Sequence, residues 1–349
     1  MNLTRRNALK SGAGALALGS LAGCLDDTAA SGGEFDSAYA AFFALWDWSQ
    51  AVAGDAAEIE NPVDYGQLGH GWEPDGDLPR EVASTNAFVY IDTPEFSWAQ
   101  DLASTLESDY ENVAAIDAIG GLESEMIESG HDHNHGEDDH GEDDHADTHD
   151  AHANETEGEH HDDHANETDR GQLDPHVWVD PVLAQEMVDT IAAGFAEIDP
   201  DNAESYETNA AAYNERLAEI DSQYHTLLDD AERSTVVLAT HSSFAYVENR
   251  YGLDIHTVAG ISPDAEPDAS AIAETVDLVD DSGIDVILYD RFESDRLAET
   301  IVENSTATAT APVTAGAGTL REWADEGLGF VDQMEQVTLP AFRRALGAE

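Results

Sequence analysis

The sequence predicts an α/β protein of two lobes with mainly parallel sheets, joined by one long rigid helix. Three observations lead to that class. Short apolar runs of β type (residues 87–91, 235–239 and 285–289) alternate with helical patterns. A long helical stretch, 181–232, separates the first run from the other two, with weak breaks near Asp199-Pro200-Asp201. The chain has 349 residues, 41% of them hydrophobic, which is enough apolar side chain for two cores.

The elements follow in chain order. Thr4-Arg5-Arg6-Asn7 is a twin-arginine start, and residues 13–22 form a short apolar stretch too weak for a lasting membrane span. Leu21-Ala22-Gly23-Cys24 is similar to a lipoprotein cleavage box, in which Cys24 becomes the lipidated first residue. Residues 1–24 are therefore expected to be an export signal and 25–34 a tether, with Cys24 as the lipid anchor on the outer face of the cell membrane.

Residues 35–182 are expected to form the N-terminal lobe. It contains an apolar, aromatic helix near 42–52 and the strand 87–91, bounded by Asn86 and Asp92-Thr93-Pro94. Within it, residues 128–170 form a low-complexity insert of His, Asp, Glu and Gly with nothing to bury, expected to be a disordered loop. The linking helix is expected over 183–232, where Tyr206, Ala210, Tyr213 and Leu217 recur at helical spacing. Residues 233–349 are expected to form the C-terminal lobe, with strands 235–239 and 285–289 and helices near 271–279 and 295–303.

Charge narrows the function. Asp and Glu number 75 against 13 Lys plus Arg, a formal net charge of -62, and Lys10 is the only lysine. Such a surface repels nucleic acid and anionic headgroups, which excludes nucleic-acid binding. Acidity spread along the whole chain suits very high salt, where self-repulsion is screened. The apolar content and its periodicity argue against a disordered acidic chain. A single cysteine permits neither an intramolecular disulfide nor a Cys-based zinc finger, so a metal site must use His and carboxylates.

Five of the 15 histidines lie outside the insert. His70, His176 and His241 sit in turn contexts: Gly69-His70-Gly71-Trp72-Glu73-Pro74, Asp174-Pro175-His176-Val177-Trp178, and Thr240-His241-Ser242-Ser243-Phe244 after a strand. Ligands of α/β sheets collect beyond the carboxyl ends of strands. Three neutral imidazoles leave one position of a zinc ion open. His225, on the long helix, and His256, in a strand-like run, read as structural.

The other ten histidines (His131, His133, His135, His140, His145, His149, His152, His160, His161 and His164) lie among acids in the insert. The spacing of the first three favours an accessory loop of weak metal sites that raises the local metal concentration. Asn154-Glu155-Thr156 and Asn166-Glu167-Thr168 are sequons on the same stretch.

These segments together resemble the zinc- and manganese-binding solute receptors of ABC transporters, in their lipoprotein, zinc-type and haloarchaeal-like form. The likeness runs through the three histidine turns in order. It continues through Asp199-Pro200-Asp201-Asn202 with Tyr206, Asn209, Ala210 and Tyr213, then through Tyr251-Gly252-Leu253 and Gly260-Ile261-Ser262-Pro263-Asp264-Ala265-Glu266-Pro267. The resemblance implies a metal held between two lobes by His70 and His176 from the first and His241 from the second. It also implies a stiff hinge, a monomer, and delivery to a permease served by separate ATPase subunits. No nucleotide-binding Gly loop is present in this chain.

Two departures concern the fourth ligand. Many members supply an acid from a loop that corresponds here to residues 312–319, which contain none, and some place an acid where this chain has Gly69. Water is the expected fourth ligand. Asp290 is the protein candidate, with a capping or packing role as its competing reading. An all-nitrogen set suits Zn2+ better than Mn2+. Three other functions compete with this one. A three-His zinc hydrolase would need a general base, and no His-Glu-x-x-His motif is present. A zinc buffer or chaperone would act through the insert. A receptor for an organic solute would leave the histidines unexplained.

Overall fold

A computed structural model describes residues 35–110, 112–128, 173–260 and 267–348. The expected signal, the tether, Cys24, the ten insert histidines, the sequons and residues 261–266 lie outside the described residues. No helix among the described residues is long and apolar enough to cross a membrane.

The first lobe carries strands β1 (Ser37–Ala40), β2 (Glu58–Glu60), β3 (Ala87–Tyr90) and β4 (Ala114–Asp117) in the order β2-β1-β3-β4, all parallel. Helices α1 (Phe43–Ala53), α2 (Leu78–Val82) and α3 (Ser97–Asp109) connect them. After β4 the chain passes through the insert to a 3₁₀ turn, His176–Val179, and then to α4 (Pro181–Ile198). Glu128 and Leu173 pair as an antiparallel bridge, so the two ends of the insert lie side by side three residues before His176.

The stretch expected to be one linking helix is two helices. Asp199 leaves helical geometry (φ -131, ψ 76) ahead of Pro200, as a residue before proline tends to. Its carboxylate accepts from Asn202 Nδ2 at 2.7 Å and from the Tyr206 hydroxyl at 2.8 Å, which holds the corner. Helix α5 (Ala203–Asp230) then runs back antiparallel along α4, with Asn214 bonded to Asp189 at 2.8 Å. Its 28 residues span about 42 Å. The stripe Tyr206, Ala210, Tyr213, Leu217, Ile220, Tyr224 and Leu227 is buried along its whole length. Tyr206 packs on Phe35 and Phe195 of the first lobe, and Tyr224 on Tyr251 and Phe342 of the second. Among the described residues, only α5 is long enough to serve both lobes, so it is the connector.

The second lobe repeats the topology of the first. Strands β5 (Thr235–Leu238), β6 (Asp254–Thr257), β7 (Val286–Asp290) and β8 (Ala309–Val313) lie in the order β6-β5-β7-β8, all parallel. Around them are α6 (Ala245–Tyr251), α7 (Ala269–Ser282), α8 (Arg296–Asn304), α9 (Arg321–Glu326) and α10 (Phe330–Gln333). A π-helical stretch, Met334–Thr338, leads into α11 (Leu339–Leu346).

The period-two alternation of strands divides this lobe. Val236 and Leu238 face a core that continues into the first lobe, while Val237 and Ala239 face a smaller cluster with Val279, Ile287, Ala298 and Ile301. In both sheets the strand order reverses between the first and third strands of the lobe. That reversal opens a crevice at the strands' carboxyl ends.

Candidate metal centre

The three histidines reach one point from three segments. His70 lies in the long β2–α2 loop, which passes close over the first lobe's aromatic wall. A Cβ on Gly69 would stand 2.5 Å from Phe42 Cβ and 2.9 Å from Phe96 Cε1. A side chain at position 69 would clash with this wall, so a ligand from that position would require Phe42 and Phe96 to shift. Gly71 has φ +73, a left-handed conformation that turns the chain away again. The Trp98 indole donates to Gly69 O at 3.1 Å and pins the loop.

His176 opens the 3₁₀ turn before α4. Asp174 Oδ1 accepts from the His176 amide at 2.8 Å and lies 2.9 Å from its Nδ1. A carboxylate can only accept, so Nδ1 carries the proton and Nε2 is left with a free lone pair. His241 follows β5, and its Nδ1 bonds to Glu293, which follows β7. These are neighbouring strands at the reversal point of the second sheet. The same logic leaves Nε2 of His241 free.

His241 Nε2 and His176 Nε2 stand 3.3 Å apart. That equals the edge of a tetrahedron whose corners lie about 2.0 Å from a zinc ion, roughly 3.3 Å. The third ring completes the triangle: His70 lies 5.4 Å from His176 and 5.2 Å from His241 by ring centroids, and His176 lies 5.2 Å from His241. One nitrogen of each falls within 4.8 Å of the others. Among the described residues, His70 Nε2 is buried and has no hydrogen-bond partner. A buried ring nitrogen left unpaired beside two others is costly, and a cation ligated by all three would remove that cost.

Exposure is 6%, 1% and 2% for His70, His176 and His241. Burial pushes the His70 imidazole down to about 2, and the two neighbouring rings add to the shift. Burial likewise lowers His176, against the opposing pull of Asp174. Two of the rings are therefore held as neutral bases, the form that ligates a metal.

The lobes are tied together around this point. Trp178 Nε1 donates to Ala315 O at 2.8 Å, the Tyr246 hydroxyl to Asp174 O at 2.7 Å, and Gly66 N to Thr319 O at 2.9 Å. Arg250 of the second lobe pairs with Asp180, the N-cap of α4.

Asp290 does not join the cluster. Its Oδ1 accepts from Phe292 N at 2.8 Å, it bonds the Ala315 amide, and burial raises its carboxyl to about 6. These bonds shape the turn after β7, the arrangement that the competing reading expects. Residues 312–319 are equally engaged, with Thr314 bonded to Thr338 through both its amide and its carbonyl. His225 is exposed on α5 near Asp221, and His256 Nε2 meets Thr275 Oγ1 at 2.8 Å, so both lie away from the site. Neither Asp174 nor Glu293 carries a local motif that marks it for this role. Asp174 was visible as an acid two residues before a histidine. Glu293 had no local signal.

A model of the family described as ZnuA, zinc-uptake complex component A periplasmic, matches residues 39–338. Among curated proteins, the zinc-binding lipoprotein AdcA of Streptococcus pneumoniae is 31% identical over 263 residues, 74% of this chain and 46% of AdcA. The chain thus spans about half the length of that relative. The high-affinity zinc uptake system protein ZnuA of Bacillus subtilis is 28% identical over 298 residues, 84% of this chain and 83% of its own. Among solved structures, the Zn(II)-bound ZnuA-like domain of Streptococcus pneumoniae AdcA superposes with TM-score 0.66 at 26% identity. It covers 90% of this chain and 99% of that domain.

Proposed function

The chain belongs to the ZnuA family of zinc-uptake components, and on that premise we propose that it is the extracytoplasmic solute-binding component of an ABC importer. It captures Zn2+ between its lobes with His70, His176 and His241 and hands it to a permease driven by separate ATPase subunits. The observation that carries this reading is the set of three buried imidazoles, with two Nε2 atoms at 3.3 Å and the third orphaned. Water takes the fourth position, since Asp290 is committed to backbone amides. An all-nitrogen protein set favours Zn2+ over Mn2+. The protein turns over no substrate. It works as a monomer, exported by the twin-arginine route and held to the membrane by a lipid on Cys24, in surroundings salty enough to screen a net charge of -62.

The His-rich insert serves as a gathering loop. Its two ends are joined at the Glu128–Leu173 bridge, three residues from His176, so ions held loosely there are concentrated next to the tight site. The same ten histidines support a second reading, a zinc buffer that acts through the insert alone.

Zinc titration calorimetry in concentrated salt, on a variant lacking residues 131–164, separates the two. One tight equivalent should remain, and it should vanish in His241→Ala. Loss of all tight binding with the insert would move the function to the loop.

A further inference from the structure

The second lobe presents its histidine differently from the first. His241 Nδ1 is bonded to Glu293, and its Nε2 faces His176 across 3.3 Å. The two nitrogens point to opposite sides of the ring, so the carboxylate stands behind the imidazole and not among the converging nitrogens. Glu293 is largely buried, with a side-chain exposure of 16%. It is delivered there by a built turn: Asp290 Oδ1 accepts from Phe292 N at 2.8 Å, and Glu293 N donates to Asp290 O at 3.1 Å. Asp290 is itself held by a hydrogen bond from its amide to Thr240 Oγ1 at 3.1 Å, next to His241. The turn and the histidine therefore form one unit across β5 and β7.

We propose that Glu293 is a positioning residue for metal capture. It fixes the His241 ring by its Nδ1–H, commits Nε2 to the metal and strengthens that nitrogen as a donor. The proposal rests on the three-histidine reading above. A carboxylate behind a ligating imidazole orients the ring and raises its basicity, and losing one typically weakens metal binding by about 10- to 100-fold. Asp174 plays the equivalent part for His176 from within the first lobe. Among the described residues, no carboxylate bonds the His70 ring in this way.

The test uses the full chain in zinc buffers set by a competing chelator, so that only the tight site is read. Glu293→Ala should bind zinc about 10- to 100-fold more weakly. Glu293→Gln keeps an acceptor for the Nδ1–H but loses the charge, so it should bind zinc more weakly than the parent and more tightly than Glu293→Ala. In the zinc-loaded parent, long-range proton–nitrogen spectra should show His241 protonated at Nδ1, and Glu293→Ala should lose that protected proton.

Three outcomes overturn the proposal. The first is Glu293→Ala binding zinc within about twofold of the parent, whatever its melting temperature. The second is a His241 Nδ1 proton unchanged in that variant. The third is Glu293→Gln as weak as Glu293→Ala, with an altered cobalt(II) ligand-field spectrum, which would make Glu293 a direct ligand. If the parent fails to bind zinc tightly, or His241→Ala binds as well as the parent, the three-histidine reading itself has failed.

Discussion

The two lobes share one topology and bring unlike halves to the proposed centre. The first lobe offers His70 and His176 from an apolar wall of Phe42, Phe96 and Trp178, whose rings pack at 4.8 to 5.9 Å. The second offers His241 from a polar corner, with Glu293 behind it and Asp290 shaping the turn. The wall excludes water and keeps imidazole neutral. The corner supplies negative charge. A divalent cation on three neutral rings would bring two positive charges into a buried site. Asp174 and Glu293 stand behind two of the rings with two negative charges, so the buried assembly balances. One such carboxylate comes from each lobe, while the dry aromatic packing comes from the first lobe alone.

That contrast can be broken on either side. Phe96 is fully buried against Phe42, Trp178 and His70. Phe96→Ala should lower unfolding stability by about 3–5 kcal/mol in denaturant titrations on chelator-treated protein. Little loss would mean that the wall collapses to refill the space.

Removing a ligand comes next. Zinc sites contribute about 10–16 kcal/mol over four ligands, or about 3 kcal/mol each. His176→Ala should therefore weaken tight zinc binding on the order of 100- to 1,000-fold in a competition titration, with the metal-free fold retained. An unchanged affinity would remove His176 from the site.

The third effect sharpens the comparison through pH. Burial holds His70 in the folded protein at about 2, well below its ordinary value of 6.5. Below pH 6.5 the unfolded chain takes up a proton that the folded chain refuses, so stability falls as pH falls. The slope from this group approaches about 1.4 kcal/mol per pH unit. Metal-free parent and His70→Gln, unfolded side by side between pH 7 and 5.5, should diverge by that slope, with the parent the more acid-sensitive. Parallel curves would show that His70 is not held neutral.

The smallest effect concerns the seam. Trp178→Phe keeps one aromatic ring, loses the donor to Ala315 O and leaves a small gap at a fully buried position. It should cost about 1–2 kcal/mol in the same unfolding assay.

Much of this arrangement was legible in the chain. Strands β3, β5 and β7 announced themselves as apolar runs because they are buried on both faces, which leaves little room for polar residues. The stripe from Tyr206 to Leu227 marked a helix with one buried side. The three histidine turns could be picked out because a ligand beyond a strand end needs a short, local motif. Strand β1, Ser-Ala-Tyr-Ala, could not be picked out. It lacks β-branched residues, and its place between β2 and β3 is set by packing.

The sequence by itself determined the two-lobed α/β plan, the acidic Lys-poor surface and the three imidazoles, because each is written in composition or in neighbouring residues. Tertiary structure alone decided that Glu293, and not Asp290, stands behind His241. Strand order makes β5 and β7 neighbours, and a buried Asx turn spends Asp290 on backbone amides. It also decided that the helical stretch folds back at Pro200, leaving α5 to carry both lobes, because the buried face of α5 is satisfied by α4 and by helices of both lobes. Local patterns specify elements. Which carboxylate meets which imidazole depends on residues 52 positions apart, and only the packed chain brings them together.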